Sequence, residues 1–287
     1  MQVKTLSTGD EAALAAFLAP RVSSSMFLLA NARTAGLVDR GQPEQGTYVA
    51  ALDEGRILGV AAHFWNGMLV LQAPEPGVLE PAARAALARS RRDLKGLAGP
   101  RSQIDRVVSA LGLAGRRTSL DSREKLYDLA LENLRVPEGL ASGRLACRLP
   151  DVEELDLLGR WRAEFAIESL GLPSGPELLA VSRKEIDRLQ EERNHWVLVD
   201  SDQPVSYSAF NARLPEIVQV GGVWTPRELR GRGYARAVVA GSLLLAREEG
   251  VERAVLFTAE ENRSARAAYE ALGFQVVGDY GLVIFAD

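Results

Sequence analysis

Cysteine is almost absent from this chain. Cys147 is the one cysteine among 287 residues, so no internal disulfide can form and no cysteine metal cluster can be built. Histidine is nearly as scarce. His63 and His195 lie far apart and outside any ligand-spacing motif, so no metal is expected, and both read as ordinary surface or partly buried residues. An excess of positive charge is missing as well. The net charge of −4 argues against general binding to nucleic acid or to an anionic membrane surface. The opening "MQVKTLSTGD" lacks the apolar core of a secretory leader. The apolar-looking segments meet charges well before the ~18 residues that a membrane span needs. A soluble, cytoplasmic protein is expected, without nucleic-acid or membrane partners, as a monomer or homodimer. With 47% apolar and 25% charged residues, the composition excludes disorder, collagen and disulfide scaffolds.

The chain is long enough for two cores. Its first half opens on a short strand-like stretch (2–6), then a helical pattern over 10–18 with Asp10 as its N-cap, and a second helix ended by Gly36. Three strand-like segments follow, "GTYVAAL", "RILGVAAHFW" and "GMLVLQAP", separated by the hairpin signals "DEG" and "NG". A helix, the strand-like "LKGLAGP", another helix and "REKLYDLALENL", a strand or a short helix, complete it. Residues 135–144 gather Pro, Gly and Ser without periodicity and mark the boundary. The second half repeats the order: a strand, two helices, a three-strand meander, a helix from about 233 to 249, a strand, a helix, and two final strands, "FQVVGDY" and "LVIF". Two α+β domains of one topology are expected, each a mixed, largely antiparallel sheet flanked by helices. Their bounds are 1–136 and 145–287, with 137–144 as linker.

The most informative stretch is "TPRELRGRGYARA", residues 225–237. It gathers arginine and glycine where an apolar strand (217–224) meets a helix. A helix start presents amides without intrahelical acceptors and about half a positive charge, and phosphates bind there. Gly231 and Gly233 leave room for phosphate oxygens, and Arg230, Arg232 and Arg227 add charge at the rim. A dinucleotide fingerprint would need a third glycine at position 236, where Arg236 stands, and the Gly-Lys-Ser/Thr of a Walker loop is absent. The competing account is a basic turn balanced by Glu228. About thirty residues on stands "ENRSARAAYEALGF", in which Asn262 or Ser264 can cap a helix that carries Tyr269 and stops at Gly273.

Taken together, "GGVWTPRELRGRGYARA" and "NRSARAAYEALGF" resemble the GNAT superfamily of acetyl-CoA-dependent N-acyltransferases. Arg230, Gly233 and Ala235 fill its phosphate signature, Tyr269, Gly273 and Phe274 its second motif, and Asn262 the asparagine that touches the cofactor. The resemblance is firm over residues 196–285 and rests on element order alone in the first half. There the strand "GMLVLQAP" leads into "EPGVLEPAARAALARS", which has no Gly-x-Gly and two glutamates. The first domain is therefore expected to have the fold but not to bind acetyl-CoA productively.

The resemblance implies direct attack of an amine on the thioester of acetyl-CoA, with no metal. It assigns the coenzyme to Val223, Trp224, Thr225, Arg230, Gly231, Arg232, Gly233, Tyr234, Ala235, Asn262 and Tyr269. The pantetheine would lie along 218–224, where Gly221-Gly222 can form a bulge that splays the strands, and an amide near 220–223 would serve the oxyanion. Tyr269 would protonate the leaving thiolate, since a phenol of pKa ~10 nearly matches a thiol. An alkyl ammonium of pKa ~10 is neutral about one time in a thousand at pH 7, a cost of ~4 kcal/mol, so a base is wanted. Glu164 and Glu168 are four apart, on one helical face, and are candidates for binding a small cationic acceptor or taking its proton. Gln219, Ser206, Ser208 and Asn211 are further candidates to line the acceptor pocket. Rival readings are a coenzyme or metabolite sensor and a partner-binding scaffold on the same fold.

Overall fold

The computed structural model describes residues 1–286. Two units share the chain: Met1–Leu126 together with the segment from Val277 onward, and Tyr127–Val276.

The first unit contains β1 (Gln2–Thr5), α1 (Glu11–Leu18), α2 (Val22–Ala35), β2 (Gly46–Asp53), β3 (Arg56–Phe64), β4 (Met68–Gln72), α3 (Leu79–Ser90), β5 (Gly96–Pro100), α4 (Arg101–Ala110) and the start of β6 (Thr118–Ala130). Strands β1 to β4 run antiparallel to their neighbours, and β4 pairs with β5 in parallel. The β2–β3 hairpin turns on Glu54 and Gly55, at φ 47° and 79°, the positive angles that a tight hairpin requires at both central residues. One face of the sheet packs Leu69, Leu71 and Val49 against Ala82, Ala86, Ile104 and Val107 of α3 and α4. Each fully buried leucine there contributes about 1.5–3 kcal/mol. Tyr48 is fully buried and donates its hydroxyl hydrogen to the Leu28 carbonyl at 2.8 Å, which ties α2 to the sheet.

The second unit begins with the end of β6 and continues through α5 (Glu138–Ala141), β7 (Leu145–Arg148), α6 (Leu155–Leu170), α7 (Pro176–Glu192), β8 (His195–Asp200), β9 (Gln203–Arg213), β10 (Ile217–Trp224), α8 (Tyr234–Glu248), β11 (Arg253–Ala259) and α9 (Arg263–Leu272) to the start of β12 (Gln275–Phe285). Its strand order is β6-β11-β10-β9-β8-β7. The β8–β9 hairpin turns on Ser201 and Asp202 at φ 50° and 64°. Side chains alternate across the sheet. Val218 and Val220 of β10 face Val238, Leu243 and Tyr269, while Tyr207, Ala209 and Trp224 face Leu158, Trp161 and Ile186 of α6 and α7. Asp151 and Glu154 form the capping box that opens the turn into α6.

Both units are mixed sheets flanked by helices, as the element order predicts, but several particulars differ. The expected linker 137–144 lies inside the second unit, where Pro137 leads directly into α5. The two final strands are one, because Gly278 and Gly281 sit in β12 without breaking it. From Val277 on, that strand belongs to the first unit, pairing Tyr280–Ile284 antiparallel with Pro100–Gly96. Asp10 does not cap α1 with its side chain; its carboxylate takes Lys4 and the Ser7 amide instead. Glu11–Ala35 is long and apolar enough to cross a membrane by length and composition, contrary to the expectation from charge spacing. In this structure its Leu14, Leu18, Met26, Leu28 and Leu29 are buried within the first unit. Both histidines are fully buried rather than superficial.

Candidate active site

Strands β10 and β11 run parallel and pair from Ile217–Arg253 to Gln219–Val255, and beyond that point they part. The cause lies in β10. Its register against β9 slips between Gln219 and Val220 and again between Gly221 and Trp224. Only glycine fits these positions. A Cβ on Gly221 would stand 1.9 Å from Asn211 Nδ2, and Gly222 sits at φ 61° with the Arg162 guanidinium 3.0 Å from where a Cβ would be. The bulge turns the end of β10 away from β11, and the two strands form a fork.

The fork opens toward the arginine-glycine turn. Residues Arg227–Leu229 make one 3-10 turn, Arg230 is extended, and Gly231 and Gly233 both take φ 79° before α8 begins. No side chain caps α8. A Cβ on Gly231 would meet nothing within 4 Å, and one on Gly233 would meet only the end of Arg236. The turn is an exposed, uncapped helix start with space above it, the arrangement that a diphosphate requires. Arg230 is fixed beside it: its Nε donates to the Thr225 carbonyl at 3.0 Å and its guanidinium lies 4.7 Å from the Trp224 ring centre. Ser206 Oγ reaches the Trp224 carbonyl and Thr225 Oγ1 at 2.9 and 2.8 Å, and so holds the corner where strand becomes turn.

On the α6 side, an open cavity of ≈ 320 Å³ lies between Trp161, Glu164 and Glu168 and the strand end at Trp224 and Arg227. Glu164 and Glu168 do share one helical face and do line this cavity. Glu168, however, is engaged. One carboxylate oxygen accepts from Arg227 Nη2 at 2.8 Å, and the other pairs with Arg230 Nη1 at 2.8 Å. Partial burial pushes the Glu168 carboxyl up, but the Arg230 and Arg227 guanidinium groups outweigh it and hold it below its ordinary value. A carboxylate held in this way is a poor base, which corrects the expectation that Glu168 serves as one in this state. Gln219, a candidate for the acceptor pocket, is buried and is not among the residues that line this cavity. Its Oε1 and the Trp224 Nε1 are buried without a hydrogen-bond partner.

Tyr269 is on the opposite face. It is 8% exposed and packs edge-on to Tyr127 and Phe274, in the cluster that contains Val218 and Val220. Asn262 caps α9 by accepting from the Ala265 amide at 3.1 Å. Val223 packs partly buried against the second unit's core, and Thr225 is buried with its hydroxyl on Ser206. Tyr234 is corrected: its side chain turns into the core and donates to Asp200 Oδ2 at 2.6 Å, so only its amide faces the turn. Arg232 is exposed at the rim. Ser208 is fully buried beneath the sheet and Asn211 packs over Gly221, so neither lines the cavity. Sequence reasoning missed Arg162, which covers Gly222 while bound twice by Glu185 at 3.0 and 2.6 Å. Nothing in its local spacing marks it, since Glu185 comes from another helix.

The corresponding place in the first unit keeps an open cavity of ≈ 510 Å³ beside Gln72, Ala73, Pro100 and Gln103, but its main chain is already engaged. Parallel pairing of β4 with β5 runs from Met68–Gly96 to Val70–Ala98. At the end of β4, the Ala73 amide donates to Gln103 Oε1 at 2.9 Å and the Ala73 carbonyl accepts from Gln103 Nε2. Gln72 Nε2 donates to Ser24 and Ser25 at 2.6 and 2.7 Å. A side-chain amide therefore already satisfies the main chain that a bound amide would pair with.

Comparison with known proteins agrees with this geometry. Residues 161–274 match the model of the Acetyltransferase (GNAT) family. The chain has the GNAT fold, and that segment matches the family's model. Over its length it is similar to a mycothiol acetyltransferase of Nocardia farcinica, 26% identical over 262 residues that cover 82% of this chain and 81% of the relative. A second mycothiol acetyltransferase, from Beutenbergia cavernae, is 28% identical over 153 residues, covering 48% of this chain and 51% of that one. Among solved structures, a tandem GNAT protein from the clavulanic acid biosynthesis pathway superposes with a TM-score of 0.56 at 14% identity, covering 99% and 98% of the two chains. A GNAT-family acetyltransferase of Colwellia psychrerythraea gives 0.52 at 15% identity over 100% of each. These relationships support the tandem fold and acyl transfer in general.

Proposed function

We propose that the second unit transfers an acetyl group from acetyl-CoA to the primary amine of a small cationic molecule. The observation that carries this reading is the fork of β10 and β11, which leads straight to an uncapped helix start at Gly231 and Gly233. The amides of residues 229–235 would hold the diphosphate, with Arg230 and Arg232 at its rim. Acetyl-CoA supplies the thioester. Everything else falls to the chain's own residues. The amides of Val220–Val223 would stabilise the oxyanion, since β10 pairs with β11 only as far as Gln219 and its later residues border the fork. Tyr269 would give the departing sulfur its proton from the α9 side. Glu164, Trp161 and Trp224 would hold an ammonium group, a carboxylate with aromatic walls being suited to a cation.

The first unit would hold no coenzyme, because Gln103 fills the place of an incoming amide. The reading includes a cytoplasmic setting and no metal. A thiol-release assay with acetyl-CoA against an amine panel tests it. The panel should contain polyamines, amino acids, amino sugars, and the acceptor of the mycothiol acetyltransferases. Turnover with at least one cationic amine is expected. Binding of acetyl-CoA without turnover on any of them would replace the transferase with a sensor.

A further inference from the structure

The arginines that the diphosphate needs are already taken. Glu168 bridges Arg227 and Arg230 with both oxygens, at 2.8 Å on each side. The same carboxylate lines the cavity on its other side, with Glu164 one helical turn away. It therefore stands between two places that each want a charge it can affect. A diphosphate and a carboxylate cannot share these guanidinium groups without strong like-charge repulsion. Glu168 is on the exposed side of α6, with its side chain 32% accessible, so it can rotate from one place to the other without unpacking the helix.

We propose that Glu168 is exchanged between the two substrates. The coenzyme's diphosphate displaces it from Arg227 and Arg230, and the released carboxylate becomes the counter-ion of the acceptor's ammonium group. This rests on the function proposed above and names the residue that ties its two halves together. Donor binding creates the anionic wall of the acceptor cavity, and by reciprocity the acceptor strengthens donor binding. In the free protein the ion pairs keep both sites weaker than either would be alone. Glu168 is a positioning residue, since its effect on the donor passes through the two arginines.

The test is calorimetric titration of acetyl-CoA into the parent protein, Glu168→Gln and Glu164→Gln at low salt, with initial-rate kinetics on the amine that the panel identifies. Exposed ion pairs of this kind are weak individually, so Glu168→Gln is expected to bind acetyl-CoA about three- to tenfold more tightly. Its acceptor KM should rise about tenfold or more while kcat changes less. Glu164→Gln touches neither arginine and should leave acetyl-CoA affinity within about twofold. Unchanged or weaker acetyl-CoA binding by Glu168→Gln, with the parent binding normally, overturns the exchange alone. A parent protein that takes up no acetyl-CoA overturns the proposed function and the exchange with it.

Discussion

Replacing Gly231 or Gly233 by alanine separates what the turn costs the protein from what it gives the ligand. Both residues take φ 79°, and a Cβ at either would meet no backbone; at Gly231 it meets nothing within 4 Å. Steric clash therefore adds nothing in the free protein. What remains is the left-handed penalty for a residue with a Cβ, roughly 1–2 kcal/mol. Each variant should lose about that much stability in urea. If the diphosphate rests on the amides of this turn, the new methyl group occupies the ligand's own space. The loss of acetyl-CoA affinity should then exceed tenfold, since one charge-assisted hydrogen bond displaced costs ~1.5–3 kcal/mol. Urea denaturation followed by tryptophan fluorescence gives the first quantity and calorimetry the second. A pair of variants destabilised as expected that still bind acetyl-CoA like the parent would refute the placement of the phosphates. So would an affinity loss no larger than the stability loss explains.

Other outcomes follow from the same structure. Tyr269→Phe should lower kcat by about a hundredfold at saturating substrate, with little change in acetyl-CoA affinity; a loss of under about threefold would remove its acid role. Titration should saturate at one acetyl-CoA per chain, because Gln103 already occupies the main-chain groups of Ala73 at the end of β4; two equivalents would show that a ligand displaces it. Gln103→Ala should destabilise the protein by about 2 kcal/mol, since it strands the buried Ala73 amide. His195 is fully buried between the Tyr207 hydroxyl and the Gln190 amide oxygen, and burial pushes its imidazole down to about 4. Its unfolded value is near ~6.5, so the unfolded chain binds the proton first as pH falls. The stabilisation is present above ~6.5 and is lost progressively toward pH 4, amounting to roughly 3 kcal/mol. Urea midpoints measured across that range should fall, and a flat profile would place His195 in water.

Much of the second unit could be read from residues alone. Periodicity and hairpin signals located β8 to β10, and the glycines of 231–233 marked the start of α8 within a residue. Those features are local: each is set by a turn geometry or a period written within a few positions. What could not be read depends on partners distant in sequence. The spacing of Glu164 and Glu168 shows a shared face but is silent on Arg227, 59 residues away. Tyr234 sits in a motif whose backbone serves one purpose while its ring serves the core, and the distinction needs Asp200. The alternation in β12 specifies a strand with one buried face and says nothing about which sheet receives it. The Pro-Gly-Ser stretch at 135–144 reads as a boundary, yet it lies inside the second unit and holds α5, since a break inside a unit and one between units are composed alike.

Strand β12 has a bearing on how the molecule comes into being. The seam of the first unit along Gly96–Pro100 stays open on one side until residues 280–284 arrive, some 180 positions later in synthesis. A ribosome-bound chain that has finished all of α1 to α4 still exposes a raw sheet edge, an invitation to pair with a stranger. The second unit is complete at Val276, so it is the first that must wait, and a shortened product lacking only its last dozen residues should aggregate through the half that is, by position, the most remote from the damage.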